Sequence, residues 1–206
     1  QVISSGLGLA ALAMVGEEGY NDICNEIINR TIGALAYGCA SFAPDGGSVE
    51  GPGYWLYAQQ TFFQYQAGLM TAAGDDGGMS QREGLSKTGY YILSMNGPTN
   101  QCFNYSDSSS TVISDGVFHW MAKLYNQPGL SAFRIKAQNG VGDWLDFMLY
   151  DPEIVSGDTY QNVPLDASFG GAEPVGMMCS AWDDSQANYI GYTGGDNQST
   201  HGHLDI

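Results

Sequence analysis

The sequence predicts an α+β protein in which helices come first and an antiparallel sheet follows. Apolar residues recur at helical spacing in the first 150 residues. After Asp151-Pro152 the segments become short, turn-punctuated and rich in β-forming residues. Helices segregated from strands in this way are typical of an α+β domain or of two domains, and we place the boundary near residue 151.

Residues 1–40 are predicted to form two helices, with Gly16–Gly19 as the turn between them. Asn21 or Asp22 can cap the start of the second helix. The residues of the second helix that fall near helical spacing are Ile23, Ile27, Ile28, Ile32, Leu35 and Cys39.

A turn-forming loop, Ala43–Gly47, precedes a third helix from about Tyr54 to Ala73. This helix is dense in aromatic residues and apolar nearly all round, which favours burial among other helices. Residues 74–84 are a Gly- and Asp-rich loop, and shorter helices are predicted at 85–95, 115–126 and 141–150. Two strands, Pro174–Trp182 and Ala187–Thr193, follow.

The composition limits the class of partner. Of the 206 residues 43% are hydrophobic, which is enough to build a core, and no apolar run is long enough to span a membrane. Six basic residues face 22 acidic ones, giving a net charge of −16. Nucleic acid is therefore a poor partner, because phosphate would be repelled.

Four cysteines are present: Cys24, Cys39, Cys102 and Cys179. None forms a CxxC pair, so the sequence does not indicate a zinc-thiolate site. One or two disulfides could form in an oxidising compartment, but the apolar neighbours favour free, buried thiols.

A Gly/Pro-rich loop, Pro44–Gly53, places Tyr54 and Tyr57 at the start of the third helix. Helix starts carry exposed N–H groups and the positive end of the helix dipole. Such a position favours the phenolate form and suits a phenolic acid or base. From the residues alone, the simpler interpretation is that both tyrosines are packing aromatics.

The C-terminal sequence His201-Gly202-His203-Leu204-Asp205 places two imidazoles and a carboxylate on one face of a strand. This set suits Zn²⁺ or a similar cation, or one histidine serves catalysis while the other binds metal. His119, alone on an aromatic helix, is interpreted as a packed residue.

Three segments resemble bacterial heparinase II/III-like polysaccharide lyases, in the same order. They are FAPDGGSVEGPGYWLYA (residues 42–58), GLSKTGYYILSMNGPTNQCFNYSDSS (84–109) and SAWDDSQANYIGYTGGDNQSTHGHLDI (180–206). The resemblance implies an incomplete (α/α) toroid over residues 1–150 and the first strands of an antiparallel β-sandwich over 151–206. It also implies cleavage of uronate-containing polysaccharide by β-elimination, in a cleft between the two parts.

The resemblance also implies roles for individual residues. Tyr54 matches the catalytic tyrosine, with Tyr57 as the alternative, and His201 matches the active-site histidine. His203 matches a ligand of zinc or another divalent cation. The residues expected to contact the substrate are Trp55, Tyr57 and Asn104.

The chain also departs from the family pattern. Family members carry an Asn or Asn-His pair just upstream of the segment that begins at Gln1, and further metal ligands downstream of Ile206. We therefore expect a piece of a longer, periplasmic or secreted protein, whose remaining polypeptide or other subunits cover the open faces.

Two other functions stay open. One is a non-catalytic carbohydrate-binding or structural protein on the same fold, because polyanion lyases usually line their cleft with Arg and Lys and this chain has only six such residues. The other is a hydrolase, which would need two carboxylates about 5–10 Å apart. Glu50 and Asp45 are the candidates, and the sequence does not establish their separation.

Overall fold

The computed structural model describes residues 1–155, 157–171 and 173–196. Within these ranges the chain forms helices first and an antiparallel sheet afterwards. The helices are α1 (Val2–Met14), α2 (Asn21–Cys39), α3 (Gly51–Ala73), α4 (Thr88–Met95), α5 (Val117–Tyr125), α6 (Pro128–Ala137) and α7 (Trp144–Leu149). The strands are β1 (Asp166–Phe169), β2 (Val175–Cys179) and β3 (Tyr189–Thr193). The predicted α+β class is confirmed.

Two elements were not predicted. Helix α6 begins with Pro128-Gly129, a pair that usually marks a turn; here Pro128 occupies the first turn, where its missing N–H costs nothing. Strand β1 has only four residues, so its alternation of polar and apolar side chains, Asp-Ala-Ser-Phe, is too short to stand out in the sequence. Helix α3 also begins earlier than expected, at Gly51, because Pro52 suits a helix start.

The sheet has the order β1-β2-β3, with both pairs antiparallel. Val175, Met177 and Cys179 of β2 are buried on the inner face. On the outer face Met178 lies directly opposite Ile190, and both are exposed. The sheet therefore buries one face against the helices and leaves an apolar outer face.

Helices and sheet share one hydrophobic cluster. The ring of Tyr91 in α4 meets Phe169 of β1 edge to face at 5.3 Å. The Tyr189 hydroxyl of β3 donates to the Ser94 carbonyl at 2.8 Å. Residues on both sides of position 151 thus belong to one cluster, and a division into two domains at this point stays a prediction.

The Thr88 hydroxyl, at the start of α4, joins three parts of the chain. It donates to the Gly46 carbonyl at 2.8 Å and accepts from the indole N–H of Trp55 at 2.7 Å. Gly46 has φ +93°, and a Cβ there would lie 2.5 Å from the Thr88 nitrogen. The neighbouring Asp45 accepts from the Gly170 amide at 2.7 Å, so the same loop also holds the end of β1.

A second polar network joins α5, α6 and α7. Arg134 donates from Nε and Nη2 to the two carboxylate oxygens of Asp146, each at 2.8 Å. Burial opposes ionisation of Asp146, but hydrogen bonds from Arg134 and from the Asp143 amide lower its pKa to about 2. The Nε2 atom of His119 lies 3.2 Å from this carboxylate, and its Nδ1 lies 2.7 Å from the Ser131 hydroxyl.

Because the Asp146 carboxylate can only accept, His119 Nε2 carries the proton and Nδ1 accepts from Ser131. Burial lowers the pKa of His119 below its usual 6.5, although the charge of Asp146 acts in the opposite direction. The histidine is thus packed and hydrogen-bonded, as the sequence indicates.

All four cysteines are free and buried, in line with the interpretation from their neighbours. Burial raises the pKa of Cys39 and of Cys102 to about 12, so both thiols stay protonated. None of the helices within the described ranges is both long and apolar enough to cross a bilayer.

We expect Thr88→Val to destabilise the protein by roughly 2–4 kcal/mol, because it leaves the Trp55 N–H and the Gly46 carbonyl buried without their partner. Urea unfolding of the variant measures this loss. The matched control is Thr71→Val, since Thr71 is exposed and its hydroxyl bonds only to its own helix. Equal effects at the two positions would contradict the role given to Thr88.

His119 makes stability depend on pH. Its folded pKa is depressed, so its contribution is present above about pH 6.5 and is lost as the pH falls below that value. Asp146 stays ionised through this range because its pKa is about 2. We expect His119→Gln to flatten the loss of stability between about pH 7.5 and 5, measured by urea unfolding. Parallel curves for the two proteins would show that another group titrates.

Candidate functional site

The first turns of α3 face a groove of about 800 Å³ that contains Tyr54 and Tyr57. The other walls come from the first turn of α1 and from the C-terminal turn of α2. The side chain of Gln1 holds these parts together: its Nε2 donates to the Gly38 carbonyl at 3.1 Å, and its Oε1 accepts from Gln59 at 3.2 Å.

Two glycines allow the start of α3 to pack closely against residues 105–108. Gly51 has φ +76°, and a Cβ there would lie 2.6 Å from the Tyr105 carbonyl oxygen. A Cβ on Gly53 would lie 3.2 Å from the Cα of Ser108. The first two family-like segments therefore touch, because small residues in the Glu50–Gly53 turn let the chain at 105–108 approach its backbone.

The structure brings Tyr54 and Tyr57 together. They are three residues apart on α3, so they share one helix face. Their ring centroids are 6.4 Å apart at an interplanar angle of 78°, an edge-to-face contact. Tyr57 is 59% exposed, and both residues line the groove.

Trp55 lies on a different face of the helix and is 1% exposed. Its ring packs between Tyr91 and Phe118, at centroid distances of 6.3 and 6.0 Å. Its N–H is bonded to Thr88. The expectation that Trp55 contacts substrate does not fit this position, because a side chain enclosed in the core presents no surface to a polymer.

Asn104 is exposed but lines a separate groove of about 380 Å³, between the 97–104 segment and β3. Its neighbour Tyr105 is buried and donates to the Ser48 carbonyl at 2.6 Å. The Tyr91 hydroxyl lies 2.7 Å from that of Tyr105 and donates to it, since Tyr105 uses its own proton on Ser48. Asn104 thus belongs to the loop that supports the start of α3 but does not line the groove of Tyr54.

The two predicted histidines, His201 and His203, lie outside the described residues. Within the described ranges no group of three or more His, Cys, Asp or Glu side chains is arranged to hold a metal ion. The expected zinc site stays a prediction, because His203 lies outside the described ranges.

The groove also contains Glu50, one of the two carboxylates considered for a hydrolase, and Tyr37, which no sequence motif indicated. Tyr37 is 86% exposed. At about 100° per residue it points away from the buried side of α2, which carries Leu35 and Cys39. The same helical spacing could have identified Tyr37 as a surface aromatic, although nothing in the sequence places it beside Tyr57.

The described side chains that line the groove carry negative but no positive charge. Glu50 is the only acidic side chain among the described residues that line it, and no Lys or Arg lines it. Four of the six basic residues pair with carboxylates: Arg30, Lys123, Arg134 and Lys136. The described residues therefore offer this groove hydroxyls, amides and aromatic rings, but no cation.

Ser131, His119 and Asp146 are arranged in series, as in a nucleophilic triad, but they do not form an active site. Ser131 is 1% exposed and lies within α6, so its hydroxyl cannot reach a substrate. The arrangement fastens α5 to α6 and α7.

A comparison of the chain with protein-family models found no match, and a comparison with curated proteins found none. The family resemblance thus rests on the three sequence segments themselves.

Proposed function

We propose that this chain is the substrate-contacting part of a polysaccharide lyase of the heparinase II/III type, which cleaves uronate-containing polysaccharide by β-elimination. The observation that carries the proposal is that Tyr54, the residue matching the catalytic tyrosine, lines an open groove beside the exposed Tyr57. The first two family-like segments meet at this helix start, and Thr88 bonds them together.

In this proposal the helices belong to an incomplete (α/α) toroid and the sheet begins an antiparallel β-sandwich. Two exposed apolar surfaces support it: Ile3 and Leu7 on α1, and Met178 and Ile190 on the outer face of the sheet. Exposed apolar faces on both helices and sheet are expected where further layers of the polypeptide or another subunit pack. A periplasmic or secreted location fits a polymeric substrate.

The proposed reaction removes the proton on C5 of a uronate, next to the carboxylate. The released electron pair forms the C4–C5 double bond, and the 4-O-linked sugar leaves with a proton on its oxygen. Tyr54 either takes the C5 proton or gives a proton to the leaving oxygen, and His201 is the second catalytic residue. The uronate carboxylate must be neutralised by hydrogen-bond donors before its α-proton becomes acidic, and these donors belong to other parts of the protein.

A second candidate is a non-catalytic carbohydrate-binding or structural protein on the same fold. The lack of any Lys or Arg lining the groove favours it, because a polyanion gains no ion pair from the described residues there. The two functions differ in whether a bond is broken.

In the full-length protein, Tyr54→Phe should lower the lyase rate by ~10²–10⁴-fold, since it removes one proton-transfer group and keeps the ring. The rate is measured from the ultraviolet absorbance of the new C4–C5 double bond on alginate, heparan, chondroitin and hyaluronan. Tyr20→Phe is the matched control, because Tyr20 is an exposed tyrosine that does not line the groove. Full activity of Tyr54→Phe on a cleaved substrate would refute the role; no cleavage by the parent would favour the binding function.

His203 is expected to bind zinc or another divalent cation in the full-length protein. Elemental analysis should find bound metal, and His203→Ala should reduce the metal content. Because imidazole binds metal only when deprotonated, the metal should be released as the pH falls below about 6. Full-length protein that contains no metal at neutral pH would contradict this expectation.

A further inference from the structure

We infer that Asn139-Gly140, in the turn after α6, is a site of spontaneous deamidation, and that Asn96-Gly97, the other Asn-Gly pair of the sequence, is protected from the same reaction. The reaction needs only water and does not depend on any activity of the groove. Its products are aspartate and isoaspartate, so it adds one negative charge to the −16 of the chain. The new charge lies in the loop between α6 and α7.

The chemistry follows from the bonds of an Asn-Gly pair. The nitrogen of Gly140, once deprotonated, attacks Cγ of the Asn139 amide. The N–Cγ bond forms, the Cγ–Nδ2 bond breaks, and ammonia leaves with a proton from solvent. Water then opens the cyclic imide at either of its carbonyls, which restores an N–H and leaves a carboxylate, and nothing is oxidised or reduced. Glycine favours the attack because it has no Cβ to hinder it and its backbone is the least restricted.

The Asn139-Gly140 turn is free to reach the geometry of attack. Asn139 is exposed, and it and Gly140 have φ of +51° and +81°. Among the described residues neither the Asn139 amide nor the Gly140 N–H has a hydrogen-bond partner. The surrounding space is also open, because a Cβ on Gly140 would meet no atom within 4 Å. The attacking nitrogen and the leaving amide are thus both accessible to water.

The Asn96-Gly97 pair has the same two residues in the opposite environment. Asn96 is 0% exposed, and its Nδ2 donates to the carbonyls of Ile92 and Ile113, each at 3.0 Å. Its Oδ1 accepts from the Ile113 amide at 2.8 Å. The Gly97 N–H donates to the Gln101 carbonyl at 2.7 Å. Attack at Asn96 would first require these bonds to break, so the reaction there has to wait for local opening of the chain.

The modified loop links two helices. Residues 138–143 join α6 to Asp143, the N-cap of α7, whose carboxylate accepts from Arg134 at 3.2 Å. A carboxylate at position 139 comes three residues after Lys136 and just past the C-terminal end of α6, where negative charge is unfavourable. An isoaspartate also adds one carbon atom to the main chain. Deamidation therefore changes the charge and the length of this link and leaves the residues that line the groove unchanged.

The test compares the two Asn-Gly pairs in one sample of full-length protein, held at mildly alkaline pH in water enriched in the heavy oxygen isotope. Mass spectrometry of chymotryptic peptides then counts only the carboxylates formed during incubation. In the native protein we expect Asn96 to react at least about ten-fold more slowly than Asn139, because its reaction requires local opening. In urea-unfolded protein the two rates should agree within about three-fold, because the folded environment that distinguishes the pairs is lost.

Asn139→Gly is the variant for comparison, because glycine accepts the positive φ of this position and has no side-chain amide to lose. On anion exchange the native parent should accumulate a more acidic species with time, and Asn139→Gly should not. Equal native rates at Asn96 and Asn139 would overturn the inference. So would an Asn139 amide that persists in native protein while both pairs react in urea. Acidic species that form equally in Asn139→Gly would assign the charge change to another residue.

Discussion

The relative positions of α3, of α4 and of the loop before α3 depend on one hydroxyl group, that of Thr88. Thr88 donates to the Gly46 carbonyl and accepts from the Trp55 indole, and all three groups are buried. The carbonyl needs a donor and the indole N–H needs an acceptor, and a hydroxyl is both at once. Threonine provides it at the start of α4 and thereby fixes the loop before α3, α3 itself and α4 in one geometry.

The groove follows from that junction. Once Trp55 is held in the core, Tyr54 and Tyr57 are turned to the opposite side of α3, toward α1 and α2. Gly51 and Gly53 then let the 105–108 chain pass against the helix start. A side chain at Gly51 would push this loop away, and one at Gly53 would require the loop to shift slightly. Most residues of the first two family-like segments thus serve packing, and this packing holds the helix that carries the two tyrosines.

The sequence predicted a helix correctly where apolar residues recur at regular spacing. It did not predict which side of a helix faces the core or the groove. The spacing of Leu35 and Cys39 predicted α2 correctly, because that helix buries one regular stripe. The family resemblance placed Trp55 at the substrate together with Tyr54, yet one residue is a turn of about 100° and carries Trp55 into the core. Helix α6 was missed because Pro128-Gly129 has the local chemistry of a turn and only tertiary packing makes it helical. Tyr37 came to the groove through the packing of α1 against α2 and α3, which no local pattern encodes.

Most of the few basic residues of this acidic protein form ion pairs that stabilise its fold. Arg134 holds the Asp143–Asp146 cap of α7 against α6, and Lys136 pairs with Asp183 in the turn between β2 and β3. Lys123 reaches from α5 to Asp151 at 2.9 Å. Each of these pairs joins two separate elements, so removing the cation would leave a carboxylate without its partner. No Lys or Arg lines the groove among the described residues, so in the proposed function a cation that meets an anionic ligand comes from other parts of the protein or from solvent.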